Sequence, residues 1–420
     1  MAESISSQDP KNEAKEKKKS RRPANTAFRQ QRLKAWQPIL TPKTVLPLFF
    51  AIGVIFAPVG GLLLWANSQV QELVLDYTNC ATDAPKTNST NVAADWSYMP
   101  AGTVHSWFKD SNSSTNISAY WAHHYEDIKF DGGGENRSNI CTLNFNIPNN
   151  LKPPVFIYYR LTDFYQNHRR YVKSQYADQL ANSDSAASAS AVSSSDCDPL
   201  KTVKVDGVEK AYYPCGLIAN SIFNDSIGKP LWLNPEGGSK SKTYNMSNKG
   251  IAWSSDAELY KKWTHGYDTI MPPPNWQVQW PYGYNDTYPP PDIHTWEEFQ
   301  VWMRTAGLPD FSKLALRNDN ETMGQGNYQI TIQSHFPVDL YGGTKSIVIS
   351  TRTVMGGRNI FLGIAYVVVG GLCVVLGVVF TIAHLIKPRK LGDHTYLTWN
   401  NEPSTATATG REVRRGNEGA

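Results

Sequence analysis

Two long stretches without a charged residue constrain this chain more than any other feature of its sequence. The first covers residues 45–66 and the second covers residues 360–386, which is 22 and 27 residues respectively. A helix rises about 1.5 Å per residue, so each stretch is long enough to cross the roughly 30 Å of hydrocarbon in a bilayer. The alternative is a buried helix of a soluble core, but such helices are usually shorter or carry a polar face. The pattern therefore predicts two transmembrane helices.

Basic residues are concentrated beside both predicted helices. Residues 1–44 contain 11 Lys and Arg against 4 acidic residues, and residues 387–420 contain 6 against 4. Positive charge next to a spanning helix favours the cytosolic side of the membrane. We therefore expect both tails to be cytosolic and residues 67–359 to be lumenal or extracellular. The first helix is also longer, and lies further along the chain, than the apolar core of a cleaved signal peptide.

Glycosylation acceptor patterns and cysteines agree with this topology. The pattern Asn-x-Ser/Thr occurs only between the helices, at Asn88, Asn112, Asn116, Asn136, Asn224, Asn245, Asn285 and Asn320. Of five cysteines, Cys373 lies in the second helix, whereas four lie between the helices, namely Cys80, Cys141, Cys197 and Cys215. An even number of cysteines in an oxidising compartment predicts two disulfide bonds, and three connectivities are open.

The N-terminal tail divides into two parts of different composition. Residues 1–24 are rich in Lys, Glu and Ser, which is typical of a disordered segment. Residues 25–42 form a juxtamembrane segment that is basic and aromatic, with Phe28, Arg29, Arg32 and Trp36. Such a segment docks on a partner protein, lies on an anionic lipid surface, or merely anchors the first helix.

The segment between the helices is predicted to fold as a mainly antiparallel β domain. Alternating β-branched and aromatic residues predict three strands, at residues 155–161, 328–332 and 346–354. A capping box of Thr295 and Glu298 predicts one helix, which Gly307 ends. A run of Ser and Ala at residues 183–195 predicts a surface loop that contributes nothing to a core.

No motif of a catalytic site is present. The sequence lacks a phosphate-binding loop, a Gly-x-Ser-x-Gly elbow and the spacing of a zinc site, and residues 342–346 are assigned to a turn before a strand. The neighbours His123 and His124 point to opposite faces of a strand, which argues against a metal site. We expect no catalytic residue, no cofactor and no metal. Carboxylates distant in sequence form glycosidase sites, so a lumenal enzyme stays open.

Glycines recur every seven residues in the second helix, at Gly363, Gly370 and Gly377. This glycine stripe keeps its members within about 40° of one another around the helix axis, and it opens a groove where another helix can approach. Gly53 and Gly60 repeat the spacing in the first helix. The stripe therefore predicts docking of a partner helix, while the absence of charge in both helices argues against an ion path.

Several strings of the sequence point together to one family. They include AFRQQRLKAWQPILTP at 27–42, VFIYYRLTDFYQNHRRYVKS at 155–174, PCGLIANSIFND at 214–225 and FPVDLYGGTKS at 336–346. Because these strings occur in this order, the chain resembles the cell cycle control protein 50 family, the accessory (beta) subunits of type-four P-type ATPases. The Ser and Ala run and the motif SDCDP resemble the fungal branch of that family.

The resemblance implies a fold and a covalent framework. It implies a jelly-roll-like sandwich of two antiparallel sheets with short helices, held between two transmembrane helices. It also implies the disulfide bonds Cys80–Cys141 and Cys197–Cys215.

The resemblance further implies a function without catalysis. The chain would form a 1:1 complex with a type-four P-type ATPase that moves aminophospholipid to the cytosolic leaflet. It would support the folding of this ATPase, its export from the endoplasmic reticulum to Golgi, endosome or plasma membrane, and its catalytic cycle. The expected contacts with the ATPase are the glycine stripe and four juxtamembrane residues, Phe28, Arg29, Arg32 and Trp36. Phospholipid is a further candidate ligand, and nucleic acid is not expected.

Two other function classes fit the same topology. One is an adhesion or receptor ectodomain with two membrane anchors, which would bind a soluble ligand outside the cell. The other is a lumenal glycan-processing enzyme, which would show turnover with a carboxylate-dependent pH profile.

Overall fold

The computed structural model describes residues 25–34, 41–87, 96–109, 117–233, 235, 240–351 and 358–388. The chain forms two compact units, one of residues 57–368 and the other of residues 1–56 with 369–420. The helices are α1 Pro42–Ser68, α2 Cys80–Asp83, α3 Arg169–Lys173, α4 Ala177–Leu180, α5 Ala189–Ser193, α6 Leu217–Asn220, α7 Ser254–Ala257, α8 Glu297–Met303 and α9 Ile360–Ile386.

The strands lie between the two long helices α1 and α9. They are β1 Glu72–Asp76, β2 Ser97–Tyr98, β3 Val104–Trp107, β4 Ala119–Lys129, β5 Glu135–Ile147, β6 Val155–Leu161, β7 Thr202–Val205, β8 Val208–Tyr212, β9 Ser226–Ile227, β10 Leu231–Trp232, β11 Lys242–Thr243, β12 Ile270–Met271, β13 Phe311–Asn318, β14 Gly326–Ser334 and β15 Lys345–Thr351. The expectation of a mainly antiparallel domain between two apolar helices is confirmed.

Both predicted transmembrane segments are single helices, each long and apolar enough to cross a membrane. α9 has the predicted bounds, whereas α1 extends beyond the uncharged run 45–66 at both ends. α1 starts early because Thr41 O accepts the first helical hydrogen bond from Val45 N. Pro42 then occupies the first turn, where its missing N–H needs no partner.

Two antiparallel sheets form a sandwich. One sheet has five strands in the order β13-β6-β15-β1-β3. The other has the order β11-β10-β14-β5-β4-β2, with β9 also paired to β14. The predicted strand at 155–161 is β6, and the predicted strand at 328–332 lies within β14. The prediction at 346–354 matches β15 as far as Thr351, and residues 352–354 lie outside the described part of the chain.

Alternation along the strands builds the core between the two sheets. In β14, the side chains of Tyr328, Ile330 and Ile332 are fully buried, and the residues between them face outward. They share one apolar cluster with residues of the other sheet, including Leu73 and Ile349. Burying such a side chain contributes about 1.5–3 kcal/mol. A shift of β14 by one residue would turn all three side chains to the opposite face of the sheet, so their burial fixes the register of this strand.

A second apolar core is built by the chain that connects β6 to β13. It surrounds α8 and a three-stranded sheet of order β12-β8-β7, in which β12 and β8 are parallel. Trp302 of α8 is fully buried there, and its indole N–H donates to Ile218 O at 2.8 Å. Tyr159 and Leu161, at the end of β6, belong to this second core.

The predicted helix near residue 300 is α8, but the predicted capping box is wrong. Trp296 is the N-cap residue, and it makes no side-chain hydrogen bond to the helix. Thr295 Oγ1 instead donates to Asp292 O, and Glu298 Oε1 accepts from Asn248. Thr295 is therefore bonded within the turn that precedes α8, and Glu298 is bonded to a distant segment.

The prediction that residues 183–195 form a surface loop without core contacts is wrong. This segment contains a short 3-10 turn, Asp184–Ala186, followed by α5. Ala186 and Val192 are fully buried, and Val192 packs in the second core. Small side chains allow the backbone to approach the core closely, so a few apolar residues among serines are enough to dock the segment.

Candidate interaction surfaces

The juxtamembrane segment forms one exposed turn in its described part. Gln30 N donates to Thr26 O and Arg32 N to Ala27 O, which closes the chain into a helical turn. Phe28 is 76% exposed, and Arg29 and Arg32 are exposed as well. This turn therefore presents an aromatic ring and two guanidinium groups without a core of its own. Trp36, the fourth predicted contact, lies outside the described residues.

The glycine stripe of α9 faces α1 of the same chain. In the unit of residues 57–368, Gly363 is buried, and a Cβ built on it would lie 2.8 Å from the side chain of Leu64. A Cβ on Gly60 would lie 2.7 Å from Val367 N. Since backbone atoms cannot move aside, only glycine permits this approach of the two helices.

The other unit shows the same relation. Gly370 and Gly377 are buried, and a Cβ on Gly377 would meet the ring of Phe50 at 3.2 Å. A Cβ on Gly53 would lie 3.1 Å from Gly370 O. The groove that the sequence predicted is therefore filled by this chain's own first helix. Contact of the stripe with a helix of another protein stays a prediction.

Two disulfide bonds join the cysteines that the resemblance pairs. Cys80 and Cys141 link the start of α2 to β5, with Cα atoms 6.1 Å apart. Cys197 and Cys215 lie in the second core, with Cα atoms 5.8 Å apart. The bonds span 61 and 18 residues, which in the loop-entropy estimate stabilises the fold by about 4 and about 3 kcal/mol. Cys373 is free.

Five of the eight acceptor asparagines lie in the described part of the chain, and they differ in exposure. Asn136, Asn245 and Asn320 are exposed. Asn224 and Asn285 are half-buried, and Asn285 Oδ1 accepts hydrogen bonds from the backbone N–H groups of two following residues. The other three, Asn88, Asn112 and Asn116, lie outside the described residues. Glycosylation at each position stays a prediction.

A buried ion pair joins two segments that the sequence did not connect. Lys345 Nζ lies 2.8 Å from Asp225 Oδ2, and the two side chains are 4% and 0% exposed. Asp225 also accepts from Tyr77 OH and from the backbone N–H groups of His335 and Phe336. Burial, and then the Asp225 carboxylate, raises the pKa of Tyr77 well above its ordinary value.

The ammonium group of Lys345 has three hydrogen-bond acceptors around it. It donates to Ser334 Oγ and Phe336 O as well as to Asp225. Lys345 begins β15 shortly after the turn at Gly342, whose φ of 70° lies in the left-handed region that favours glycine. The predicted turn before a strand is thus confirmed, but its lysine has a structural role that the pattern did not indicate.

A second buried lysine, Lys313, ends helix α8. Its ammonium donates to three backbone carbonyls, those of Val301, Trp302 and Arg304, at 2.6–3.0 Å. These carbonyls have no partner within the helix, so the lysine replaces a C-terminal cap. It also explains why α8 ends at Met303 and not near Gly307. Burial lowers the pKa of Lys313 from 10.5 to about 7.

We expect Lys313 to make stability depend on pH. Its folded pKa is lowered below its unfolded value, so folding releases a proton between these values and stability rises with pH there. The free energy of unfolding should therefore increase by about 1 kcal/mol from about pH 6 to about pH 8 through this group. Denaturant titrations at both pH values give the free energy of unfolding, and its increase with pH should be smaller for Lys313→Met than for the wild type. Lys249 is an exposed lysine that also donates to a carbonyl, so Lys249→Met should keep the pH dependence of the wild type. If the free energy of unfolding changed equally with pH in both variants, this assignment would be refuted.

The ectodomain also contains a cavity of about 1110 Å³. Its wall combines aromatic side chains with neutral amides and hydroxyls, among them Phe223, Trp296, Tyr341, Asn224, Asn245 and Gln279. No group of three or more His, Cys, Asp and Glu able to hold a metal occurs in the part of the chain that the structure describes. His123, one of the predicted histidine neighbours, is buried, and its Nδ1 is bonded to Ala84 O.

Comparison with known proteins agrees with this architecture. The profile of the "LEM3 (ligand-effect modulator 3) family / CDC50 family" matches residues 63–390. The "Phospholipid-transporting ATPase accessory subunit CDC50" of Chaetomium thermophilum is 42% identical over 386 residues, which covers 91% of this chain and 92% of that protein. The accessory subunit CRF1 of Saccharomyces cerevisiae is 40% identical over 91% of this chain and 90% of its own length.

An animal protein is similar over nearly the same length. "Cell cycle control protein 50A" of Mus musculus is 35% identical over 378 residues, which covers 87% of this chain and 89% of that protein. Because the profile matches most of the chain, and each similarity extends over most of both sequences, this chain belongs to the LEM3/CDC50 family.

Proposed function

We propose that this chain is the non-catalytic accessory subunit of a phospholipid-translocating P-type ATPase. The observation that carries the proposal is the similarity, over 91% of the chain, to proteins named as accessory subunits of phospholipid-transporting ATPases. Two helices long and apolar enough to cross a membrane support an assembly inside the bilayer. The ATPase would supply the nucleotide chemistry and the lipid path, and this chain would support its folding, its export from the endoplasmic reticulum and its catalytic cycle.

The proposed topology has both termini in the cytosol. The basic residues beside both helices support this orientation, because positive charge is retained on the cytosolic side. The ectodomain then lies in the lumen, and after export outside the cell, where disulfide bonds persist. All eight glycosylation acceptor patterns fall in this same segment.

The exposed juxtamembrane turn is the proposed cytosolic contact with the ATPase. Phe28, Arg29 and Arg32 are presented to solvent, and aromatic and arginine side chains supply most of the binding energy in interfaces. The triple variant Phe28→Ala, Arg29→Ala and Trp36→Ala should therefore reduce lipid transport by about tenfold.

Glycosylation and the amount of this triple variant should remain normal, because Phe28 and Arg29 are exposed and belong to neither core. Lys34→Ala is the matched control, since it removes a positive charge from the same segment and leaves the aromatic contacts. Transport of fluorescent phospholipid into the cytosolic leaflet measures the effect. Unchanged transport by the triple variant would eliminate the proposed contact.

The proposed function is tested by purification of the tagged full-length chain in mild detergent. We expect a P-type ATPase to be recovered in a 1:1 ratio, with ATP hydrolysis that phospholipid stimulates. A chain that is glycosylated and oxidised but elutes alone would contradict the proposal. In that outcome, binding of a soluble ligand or turnover of a glycan by the same preparation would identify a receptor or a lumenal enzyme.

A further inference from the structure

We propose that the ectodomain cavity holds the first sugars of an N-linked glycan attached to Asn245 of the same chain. This inference rests on the topology of the proposed function, which places the cavity in the lumen. The cavity of about 1110 Å³ is larger than the pockets of about 300–1000 Å³ that enclose ligands of drug size. It therefore has room for several linked sugar rings.

Asn245 is an exposed residue at the wall of the cavity. It starts the acceptor pattern Asn-Met-Ser. Its Oδ1 accepts from Lys229 Nζ at 2.8 Å, while the described residues offer no acceptor for its Nδ2. In N-glycosylation, this Nδ2 bonds to C1 of an oligosaccharide carried on a polyisoprenyl diphosphate. The C1–O bond breaks, the diphosphate leaves with the electron pair, and the amide proton passes to a base.

The charge of the cavity wall selects the class of ligand. The Asp225 carboxylate is paired with Lys345. The other two charged side chains of the wall, Glu298 and Lys229, have opposite signs, and each is hydrogen-bonded to an asparagine amide. The charges of the wall therefore cancel and do not favour an anionic headgroup, whereas high-mannose glycans are neutral.

Half-buried aromatic side chains and unbonded amides complete the match to a sugar. Phe223, Trp296 and Tyr341 are half-buried, so part of each ring remains open to a ligand. The apolar faces of sugar rings pack on aromatic rings, and their hydroxyls need amide partners. Within the described part of the chain, the side-chain amide of Gln279 has no hydrogen-bond partner, and neither has that of Asn275. These groups are free to bind hydroxyls.

Protection from an endoglycosidase tests this inference. The full-length chain, expressed in a eukaryotic host with high-mannose glycans, is treated with endoglycosidase H in its native state. Glycopeptide mass spectrometry then follows cleavage at each site. The glycan at Asn245 should be cleaved about tenfold more slowly than the glycans at the exposed Asn136 and Asn320, because it must leave the cavity first. Denaturation should abolish the difference.

Gln279→Met is the variant that links protection to the cavity. It keeps the length of the side chain and breaks no side-chain hydrogen bond of the described structure, but it removes one partner of the sugar. The cleavage rate at Asn245 should rise about fivefold, as expected for the loss of one hydrogen bond. Asn275→Ala is a second variant with the same expectation, should the first fold poorly.

The outcomes separate this inference from the proposed function. A bare Asn245 beside a glycosylated Asn320, or equal cleavage rates at the two sites, would overturn the inference alone. If none of the acceptor sites carried sugar, the lumenal topology would fail as well. Recovery of the ATPase with the chain is measured on the same preparation, and it tests the accessory-subunit role independently.

Discussion

Replacing Lys345 by methionine should lower the free energy of unfolding by about 3–5 kcal/mol. The substitution leaves the Asp225 carboxylate buried without its cation, and an uncompensated buried charge costs about this much. It also removes the donor that serves Ser334 Oγ and Phe336 O. The measurement is denaturant unfolding of the purified full-length chain, followed by tryptophan fluorescence. In cells, the variant should remain in the endoplasmic reticulum, because a domain this unstable is retained and degraded.

The matched control is an ion pair that is open to water. Arg317 and Asp319 are joined at 2.7 Å, but their side chains are 31% and 44% exposed. Exposed pairs contribute about 0–1 kcal/mol, so Asp319→Asn should leave the unfolding midpoint nearly unchanged. Asp225→Asn combined with Lys345→Met should recover part of the loss, since no buried charge then remains. Equal midpoints for Lys345→Met and Asp319→Asn would contradict the structural role of the buried pair.

Replacing Gly60 by leucine should separate α1 from α9. A Cβ at this position would lie 2.7 Å from Val367 N and 3.0 Å from Gly363 O, and both are backbone atoms. Overpacking of a tight contact costs about 1–3 kcal/mol, and here the helices themselves must shift. We expect a lower thermal midpoint in detergent and a reduced recovery of the ATPase with the tagged chain.

Gly61→Leu is the control for this variant. It adds the same side chain one residue further along the same helix, where a Cβ meets nothing within 4 Å. Its thermal midpoint should therefore equal that of the wild type. If Gly61→Leu lowered recovery of the ATPase without lowering the midpoint, the outward face of α1 would be the surface that contacts the ATPase. Equal midpoints for the two variants would show that the close approach of the helices does not stabilise the chain.

The sequence alone determined the features that depend on local pattern. Uncharged runs predicted both long helices, because a spanning segment must be apolar along its whole length. Alternation predicted strands such as β6, since successive side chains point to opposite faces of a sheet. The family resemblance added the sandwich and the cysteine pairing, which composition and spacing had left among three alternatives.

Only the tertiary structure decided which residues meet across long separations in the chain. Asp225 and Lys345 are 120 residues apart, so no local pattern indicates that they form a buried pair. The glycine spacing predicted a helix contact but not that α1 would fill it, because periodicity describes one face and not its partner. Thr295 and Glu298 have the spacing of a capping box, yet Thr295 bonds to Asp292 in the preceding turn and Glu298 bonds to the distant Asn248. Local sequence sets the conformations that a segment can adopt, and the packing of distant segments selects among them.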